Sequence, residues 1–312
     1  MSLYLIGKDY KNALLEEREA LLRASAKIAV HFPQGKILAT CNRFEIYGTG
    51  MIPDNLPILL KGARVVSDTK LIFRHALRVA VGLESQIKGE TQISEQLSVW
   101  LKIGNLPPRI SALWSKAFEE AQGIRKISGL LDARQNIAAA IFAMLKKQNR
   151  RIKIIVNGTG KVAQLFSHYK PEWADIDFVA HKNFARAQYL AQRVGGRALR
   201  FEDLSYALAS ADVLIGASAS PHIVFKHAPF KNILGDRIGP LFAFDLAFPR
   251  DIDPELKGAK NLILYDLDNL SQPIAEFNAR IARHLALAEY LIDEKVSEYA
   301  RDQENIEVGN AA

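Results

Sequence analysis

The spacing of apolar positions changes near residue 150, and each half of the chain predicts its own architecture. In the first half, Leu3 to Ile6 reads as a short strand. Asn12 to Ala26 reads as a helix, with Leu14, Leu15, Leu21 and Leu22 set among charges. Lys27 to Val30 and Lys36 to Ala39 predict two more strands, parted by the turn-forming Pro33-Gln34-Gly35, and Phe44 to Tyr47 continues extended before Gly48 and Gly50. From Asp68 the pattern is helical: Leu71 to Ala80 keeps helical spacing and stops at Gly82. Leu83 to Gln96 is more densely polar than a core-facing helix needs. Leu106-Pro107-Pro108 marks a break, helical spacing resumes from Ile110 to Arg125, and an Ala-rich helix spans Gln135 to Lys147.

The basic stretch Lys146 to Arg151 marks the change of pattern. Beyond it Ile152 to Val156, Ile176 to Ala180, Val213 to Gly216, Leu241 to Asp245 and Leu262 to Tyr265 predict strands. Helices alternate with them: one reaching about Tyr169, one over Phe184 to Val194 stopped by Gly195-Gly196, and one over Phe201 to Ala209. This alternation, opening on a glycine turn, predicts a parallel, doubly wound sheet. From Gln272 to Tyr299 the spacing predicts one long helix, on which Ile274, Phe277, Ile281, Leu285, Ala288 and Ile292 form an apolar stripe that other parts of the chain or a second chain must cover. Arg301 to Ala312 reads as a polar tail. The expected fold class is α/β: an N-terminal α/β catalytic domain over residues 1–134, a Rossmann-type doubly wound nucleotide-binding domain over 135–270, a long connecting helix over 271–303 and a polar tail over 304–312.

At 312 residues, with 49% hydrophobic and 24% charged residues, the chain has the composition of a folded globular protein rather than a disordered one. One cysteine excludes an intramolecular disulfide, and no metal site is expected, because one Cys with scattered His lacks zinc-ligand spacing. No basic-then-apolar leader and no apolar run of membrane length are seen, so a cytoplasmic location with no membrane contact is expected. The net charge of +7 suits a polyanionic partner without identifying one.

Candidate chemistry lies at two places. Cys41 stands in the polar cluster Thr40-Cys41-Asn42-Arg43, after an apolar run and two residues before a permanent cation. A buried packing cysteine is the plainer reading; a nucleophile needs groups that favour its thiolate and hold a substrate. Gly158-Thr159-Gly160-Lys161-Val162-Ala163 follows a strand and opens a helix. Its first glycine permits a tight turn, its second lets a pyrophosphate approach, and its small last residue lets helix and strand pack. Where an NAD site carries a carboxylate, at the end of the next strand, this chain has His181-Lys182-Asn183 with Arg186 a turn later, which suits the 2′-phosphate of NADP(H). The alternative is that Lys182 and Arg186 are solvated surface charges. A thiol beside a hydride donor points to acyl chemistry, in which a thioester is reduced to an aldehyde.

Thr40 to Tyr47 resembles the signature of the glutamyl-tRNA reductase family. His75 to Ser85, then Gly89 to Ile93 and Gln96, is similar to its second motif. Ala211-Asp212-Val213, Ala219 to His222, Phe244 to Pro254 and Tyr265 to Asp268 resemble further strings, in order, over roughly residues 35 to 300. The resemblance implies NADPH-dependent reduction of glutamyl-tRNA(Glu) to glutamate-1-semialdehyde, the entry to tetrapyrrole synthesis, with glutamate-1-semialdehyde aminotransferase as a second partner. It makes Cys41 the nucleophile and His75 a residue important for activity. Thr40, Asn42, Arg43, Ser85, Glu90, Thr91, Gln92 and Gln96 become substrate contacts, Arg43 for a carboxylate and Glu90 for the ammonium group. Gly158 to Ala163 become the NADP-binding turn, with His181 and Lys182 beside it.

The chain departs from the family in two places. Gly7 to Asn12 lacks the family's usual Ser-His-Arg/Lys-Thr-Ala-Pro-like string, and only Glu17-Arg18-Glu19 clearly matches. The family's helical dimerisation domain has no counterpart after Tyr299, which leaves a homodimer open. Two other functions remain: an NADP-dependent dehydrogenase of the shikimate dehydrogenase type, which has no need of Cys41, and a tRNA-binding or regulatory paralogue without turnover.

Overall fold

The computed structural model describes residues 2–103, 105–133, 135–235, 237, 239–270 and 274–311, with side chains described up to residue 305. Two compact units are present: Met1–Asn136 together with Glu276–Ala312, and Ile137–Ala275.

The first unit is built on an antiparallel sheet of four strands: β1 (Leu3–Asp9), β2 (Gly35–Thr40), β3 (Arg43–Thr49) and β4 (Arg64–Val66), in the order β2-β3-β1-β4. Both faces are covered, so alternate residues of β1 enter different cores. Tyr4 and Ile6 join Phe44, Ile46, Leu21 and Ile28 under helices α1 (Leu15–Arg23) and α2 (Ser25–Ala29). Leu3 and Leu5 join Tyr47 and a larger cluster of α3 (Thr69–Val81), α4 (Gln92–Ile103) and α5 (Pro108–Ile127). Asp68 caps α3 by accepting the Leu71 N–H at 2.9 Å, and Gly82 ends it at φ 90°.

The second unit carries α6 (Ile137–Leu145), β5 (Ile152–Asn157), α7 (Lys161–His168), β6 (Ala174–Ala180), α8 (Phe184–Val194), β7 (Ala198–Arg200), α9 (Leu204–Ala209), β8 (Val213–Gly216), α10 (His227–Gly235), β9 (Leu241–Asp245) and β10 (Leu262–Tyr265). All five strand pairings are parallel, and the order β10-β9-β8-β5-β6-β7 reverses between β5 and β8. That order is the doubly wound nucleotide-binding arrangement, which binds its ligand at the reversal.

Three sequence expectations change. Lys27 to Val30 is not a strand but lies mostly in helix α2: only Ile28 of this short run is buried, and Val30 is 80% exposed, so no two-sided strand is possible. The long C-terminal helix is interrupted. After residues 271–273, which lie outside the described residues, α11 (Ala275–Ala279) is followed by a turn at Arg280-Ile281 and then by α12 (Ala282–Ala311). The polar tail is helical in its backbone to Ala311, consistent with the helix-forming Arg301, Gln303 and Glu304. Strands β4 and β7 and helix α10 carry too few patterned residues to announce themselves. The apolar stripe is covered within the first unit, where Ile281 in the turn and Ala288, Ile292 and Val296 on α12 join the core of α3 and α5. No described helix is long and apolar enough to cross a membrane.

Buried Arg125 on α5 connects this core to the segment after α3. Its Nη1 donates to the carbonyls of Val81 (2.7 Å) and Glu90 (2.9 Å), and its Nη2 to that of Gly89 (3.1 Å). Arg125→Met should lower the stability of this unit by about 3 kcal/mol, since buried carbonyls would lose charged donors. Urea unfolding followed by the fluorescence of Trp100 and Trp114 measures the change.

Candidate active site

Cys41 and Asn42 form the two-residue turn between β2 and β3, with Thr40 paired to Arg43. Three contacts pin this turn: Arg18 on α1 donates to the Cys41 carbonyl, the Tyr10 N–H donates to the Asn42 carbonyl (2.9 Å), and the Asn42 N–H donates to Thr40 Oγ1 (3.2 Å). The amide of Asn42 then joins the turn to the Gly82–Glu90 segment. Its Oδ1 accepts the Gln86 N–H (3.3 Å) and its Nδ2 donates to Glu90 Oε1 (3.5 Å).

The Gly82–Glu90 segment is a loop whose carbonyls are answered largely by side chains. Lys88 Nζ donates to Leu83 (2.8 Å), Arg43 Nη2 to Glu84 (2.7 Å), Tyr10 Oη to Ser85 (3.5 Å) and Asn278 Nδ2 on α11 to Gln86 (2.8 Å). Asn278 Oδ1 also accepts the Lys88 N–H (3.0 Å). Gly82 and Gly89 close the loop at φ 90° and 72°, with the Gly89 N–H on the Gly82 carbonyl (3.0 Å).

On β3, Arg43, Glu45 and Tyr47 share one face. Gly7, opposite Glu45, leaves room for it: a Cβ there would stand 2.8 Å from Glu45 Cγ. Glu45 Oε1 is 2.7 Å from His75 Nε2, its Oε2 accepts from Tyr47 Oη (2.8 Å), and Arg43 Nη1 is 3.8 Å away. Burial by itself would raise the Glu45 carboxyl, but His75, Arg43 and the Tyr47 hydroxyl bring it down to about 2. Glu84 is likewise held at about 2 against burial, by Lys11 and Arg78. Arg43 is fully buried, and its Nε and Nη1 have no hydrogen-bond acceptor among the described residues.

The Cys41 thiol is pushed up to about 11, chiefly by burial and then by the Glu90 charge, against the pull of Arg18 and Arg43. Burial also raises Glu90. The structure therefore gathers Thr40, Cys41, Asn42, Arg43, Ser85 and Glu90 around one loop and turn. His75 is placed behind Arg43, on Glu45 and beside Arg64, which lies 3.2 Å from its ring nitrogens. No hydrogen bond joins His75 to Cys41 among the described residues. Thr91 and Gln96 are exposed and Gln92 opens α4, so these three stand apart from the hydrogen-bonded cluster. Glu45, Arg18, Tyr10, Lys88 and Asn278 received no role from the sequence. For Glu45 a signal existed: charged Arg43 and Glu45 alternate on a strand that is otherwise apolar.

In the second unit, Gly158 at φ 123° donates its N–H to Val179 (2.9 Å), and a Cβ there would collide with the Ala217 carbonyl. Gly160 differs. Its φ of −75° suits any residue, and a Cβ would meet nothing nearer than the Ala217 carbonyl at 4.0 Å. The fold thus requires the first glycine, whereas the second keeps open space before α7, as a phosphate approaching the backbone would need. Ala163 is buried, and Thr159, Lys161 and Val162 complete the turn. His181 and Lys182 are exposed at the end of β6, and Asn183 caps α8 by accepting the Arg186 N–H (3.1 Å). Beside the glycine turn, buried Asp251 accepts from Asn157 Nδ2 (3.3 Å) and the Ser218 N–H (3.0 Å), tying the ends of β5 and β8 together. Asp245, raised to about 7 by burial, organises the loop that follows β9 through the N–H groups of Ala247, Asp251 and Ile252.

Residues 6–127 match the family model for the N-terminal domain of glutamyl-tRNA(Glu) reductase, and residues 136–272 match that for shikimate/quinate 5-dehydrogenase. Glutamyl-tRNA reductase of Heliobacterium mobile is 30% identical over 334 residues, covering 96% of this chain and 75% of that one. The chain belongs to the glutamyl-tRNA reductase family. The family, an oxidoreductase family, catalyses the first step of tetrapyrrole synthesis. A Thermus thermophilus member is 30% identical over 323 residues, 96% of this chain and 80% of its own. The solved Methanopyrus kandleri reductase aligns over 98% of this chain and 81% of that one, at 24% identity and TM-score 0.49. The second unit has the Rossmann-like fold of a nucleotide-binding dehydrogenase domain.

Because Cys41 is the chain's one cysteine, alkylation by iodoacetamide reports it alone. The rate should be low at pH 7 and climb toward pH 11. Glu90→Gln should move the climb to lower pH, roughly tenfold in rate at pH 8 for each unit of pKa lost; a wild-type plateau below pH 8 would contradict this electrostatics. At the glycine turn, Gly160→Ala should keep the melting temperature and weaken dinucleotide binding, measured by calorimetry, whereas Gly158→Ala should lower the melting temperature.

Proposed function

We propose that the protein reduces glutamyl-tRNA(Glu) to glutamate-1-semialdehyde with NADPH, through a thioester on Cys41. The observation that carries this reading is the Cys41 turn joined by Asn42 to the loop that holds Glu90 and Arg43, in a chain of this family. Arg43, buried with unanswered donors, is suited to the substrate's side-chain carboxylate. Glu90 is suited to its α-ammonium group. That contact has a chemical consequence: a cation on Glu90 cancels the charge that helps hold the Cys41 proton, so substrate binding itself makes the thiol more acidic.

The thiolate sulfur then attacks the ester carbonyl carbon. The C–O bond to the terminal ribose breaks, the ribose oxygen leaves as a hydroxyl after taking up a proton, and the glutamyl group stays on sulfur. NADPH, when bound, supplies the hydride that releases the aldehyde, and the C–S bonding pair returns to Cys41, which takes up a proton. Gly158 to Ala163 would hold the pyrophosphate, and His181 and Lys182 the 2′-phosphate, since the end of β6 offers cations where an NAD site offers a carboxylate. His75 acts at one remove, by fixing Glu45 and through it Arg43. Thr40, Asn42 and Ser85 shape the glutamyl pocket, and Thr91, Gln92 and Gln96, outside the hydrogen-bonded cluster, would meet the substrate from around the start of α4. Glutamate-1-semialdehyde aminotransferase is the partner that would consume the product.

A dehydrogenase of the shikimate type is supported by the match over 136–272, but it leaves the Cys41 cluster without use. Purified protein supplied with glutamyl-tRNA and NADPH should form aldehyde, more slowly with NADH, and Cys41→Ser should form at least a thousandfold less, roughly the loss seen when a covalent nucleophile is removed. Equal activity in the variant would remove the thioester from the mechanism. Turnover of a small hydroxy or keto acid without tRNA would favour the dehydrogenase.

A further inference from the structure

Lys88 is a half-buried cation with no carboxylate partner among the described residues. Its ammonium group donates to Tyr10 Oη (3.0 Å) and to the Leu83 carbonyl (2.8 Å), both neutral. Glu84, an acid whose charge reaches it, is already paired with Lys11 and Arg78. An ammonium has three N–H groups, so one is left over. Burial first, then Lys11, lowers Lys88 to about 8, which is the cost of holding this charge without a counter-ion.

Its position relative to the nucleophile is set by Tyr10. The Tyr10 backbone N–H is bonded to the Asn42 carbonyl, beside Cys41, and its hydroxyl to Lys88. Lys88 is therefore about one tyrosine side chain away from the Cys41 turn. On an aminoacyl ester carried by a terminal ribose, the nearest phosphate is one ribose unit from the reacting carbonyl. Arg43 lies deeper, is fully buried and has the free donors suited to the small carboxylate. The half-buried lysine is left for the next anion along the substrate.

The geometry points to Lys88, held by Tyr10, as the subsite for the 3′-terminal phosphodiester of the tRNA acceptor end. This rests on the proposed function. A compact ammonium suits a phosphate as a point charge. The divergent Lys8 to Asn12 string thereby gains a role, since its Tyr10 both braces the cysteine turn and aims the lysine.

The test measures binding of glutamyl-tRNA and of the same tRNA uncharged, over a range of salt, to wild type, Lys88→Met and Lys88→Arg. Lys88→Met should weaken both ligands by the same factor, about 10-fold near 0.1 M salt, and make the dependence of log Kd on log salt shallower by about one. Lys88→Arg should restore most of the affinity and the slope, which a general packing defect would not show. An unchanged Kd and slope in Lys88→Met would overturn the subsite. So would a loss confined to the charged tRNA, which would give Lys88 the glutamyl carboxylate instead. Wild-type protein that neither binds this tRNA nor reduces its glutamyl ester would overturn the proposed function itself, whatever the variants do.

Discussion

A loop that turns its carbonyls inward must find donors for them, and around the Gly82–Glu90 segment those donors are mainly side chains from four other elements. Arg125 comes from α5, Arg43 from β3, Tyr10 from the end of β1 and Asn278 from α11. Because each donor is anchored in a different element, the loop has one shape only when all of them are in place. The acids it carries, Glu84 and Glu90, are thus fixed relative to the Cys41 turn by hydrogen bonds to the loop backbone as well as by the contacts of their own carboxylates, Glu84 with Lys11 and Arg78 and Glu90 with Asn42.

The same arrangement gives the site a divided electrostatic character. Glu45 and Glu84 are surrounded by cations and stay charged, whereas burial raises both Glu90 and Cys41, and the Glu90 charge raises the thiol further. A thiol in this state is quiet until a cation arrives. In the proposed mechanism the glutamyl ammonium group would be such a cation, joining recognition of the amino acid to activation of the nucleophile.

The doubly wound unit was legible because its strands are continuous apolar runs: Ile152 to Val156 has no other use than a buried parallel strand, and Gly158 stands where the turn needs it. The N-terminal unit was read less well. Ile28 sits in a run too short to tell helix from strand, and Arg18 sits in a Glu-Arg-Glu string that looks like a solvated helix face, although it is fully buried against the Cys41 carbonyl. Cys41, Arg43 and Glu90 could be picked out from their motifs. Lys88 and Asn278 could not, because what makes them matter is an acceptor contributed by a distant stretch of chain.

Asn278 also bears on the order in which the protein can be completed. The chain leaves the first unit at Asn136, builds the whole nucleotide unit, and returns at Glu276. Two residues after that return, one amide closes on the backbone of Gln86 and Lys88. During synthesis the cysteine turn is made early, but the loop beside it stays short of two hydrogen bonds until the nucleotide unit has been made. The loop beside Cys41 is finished last, by a residue on the far side of an insertion.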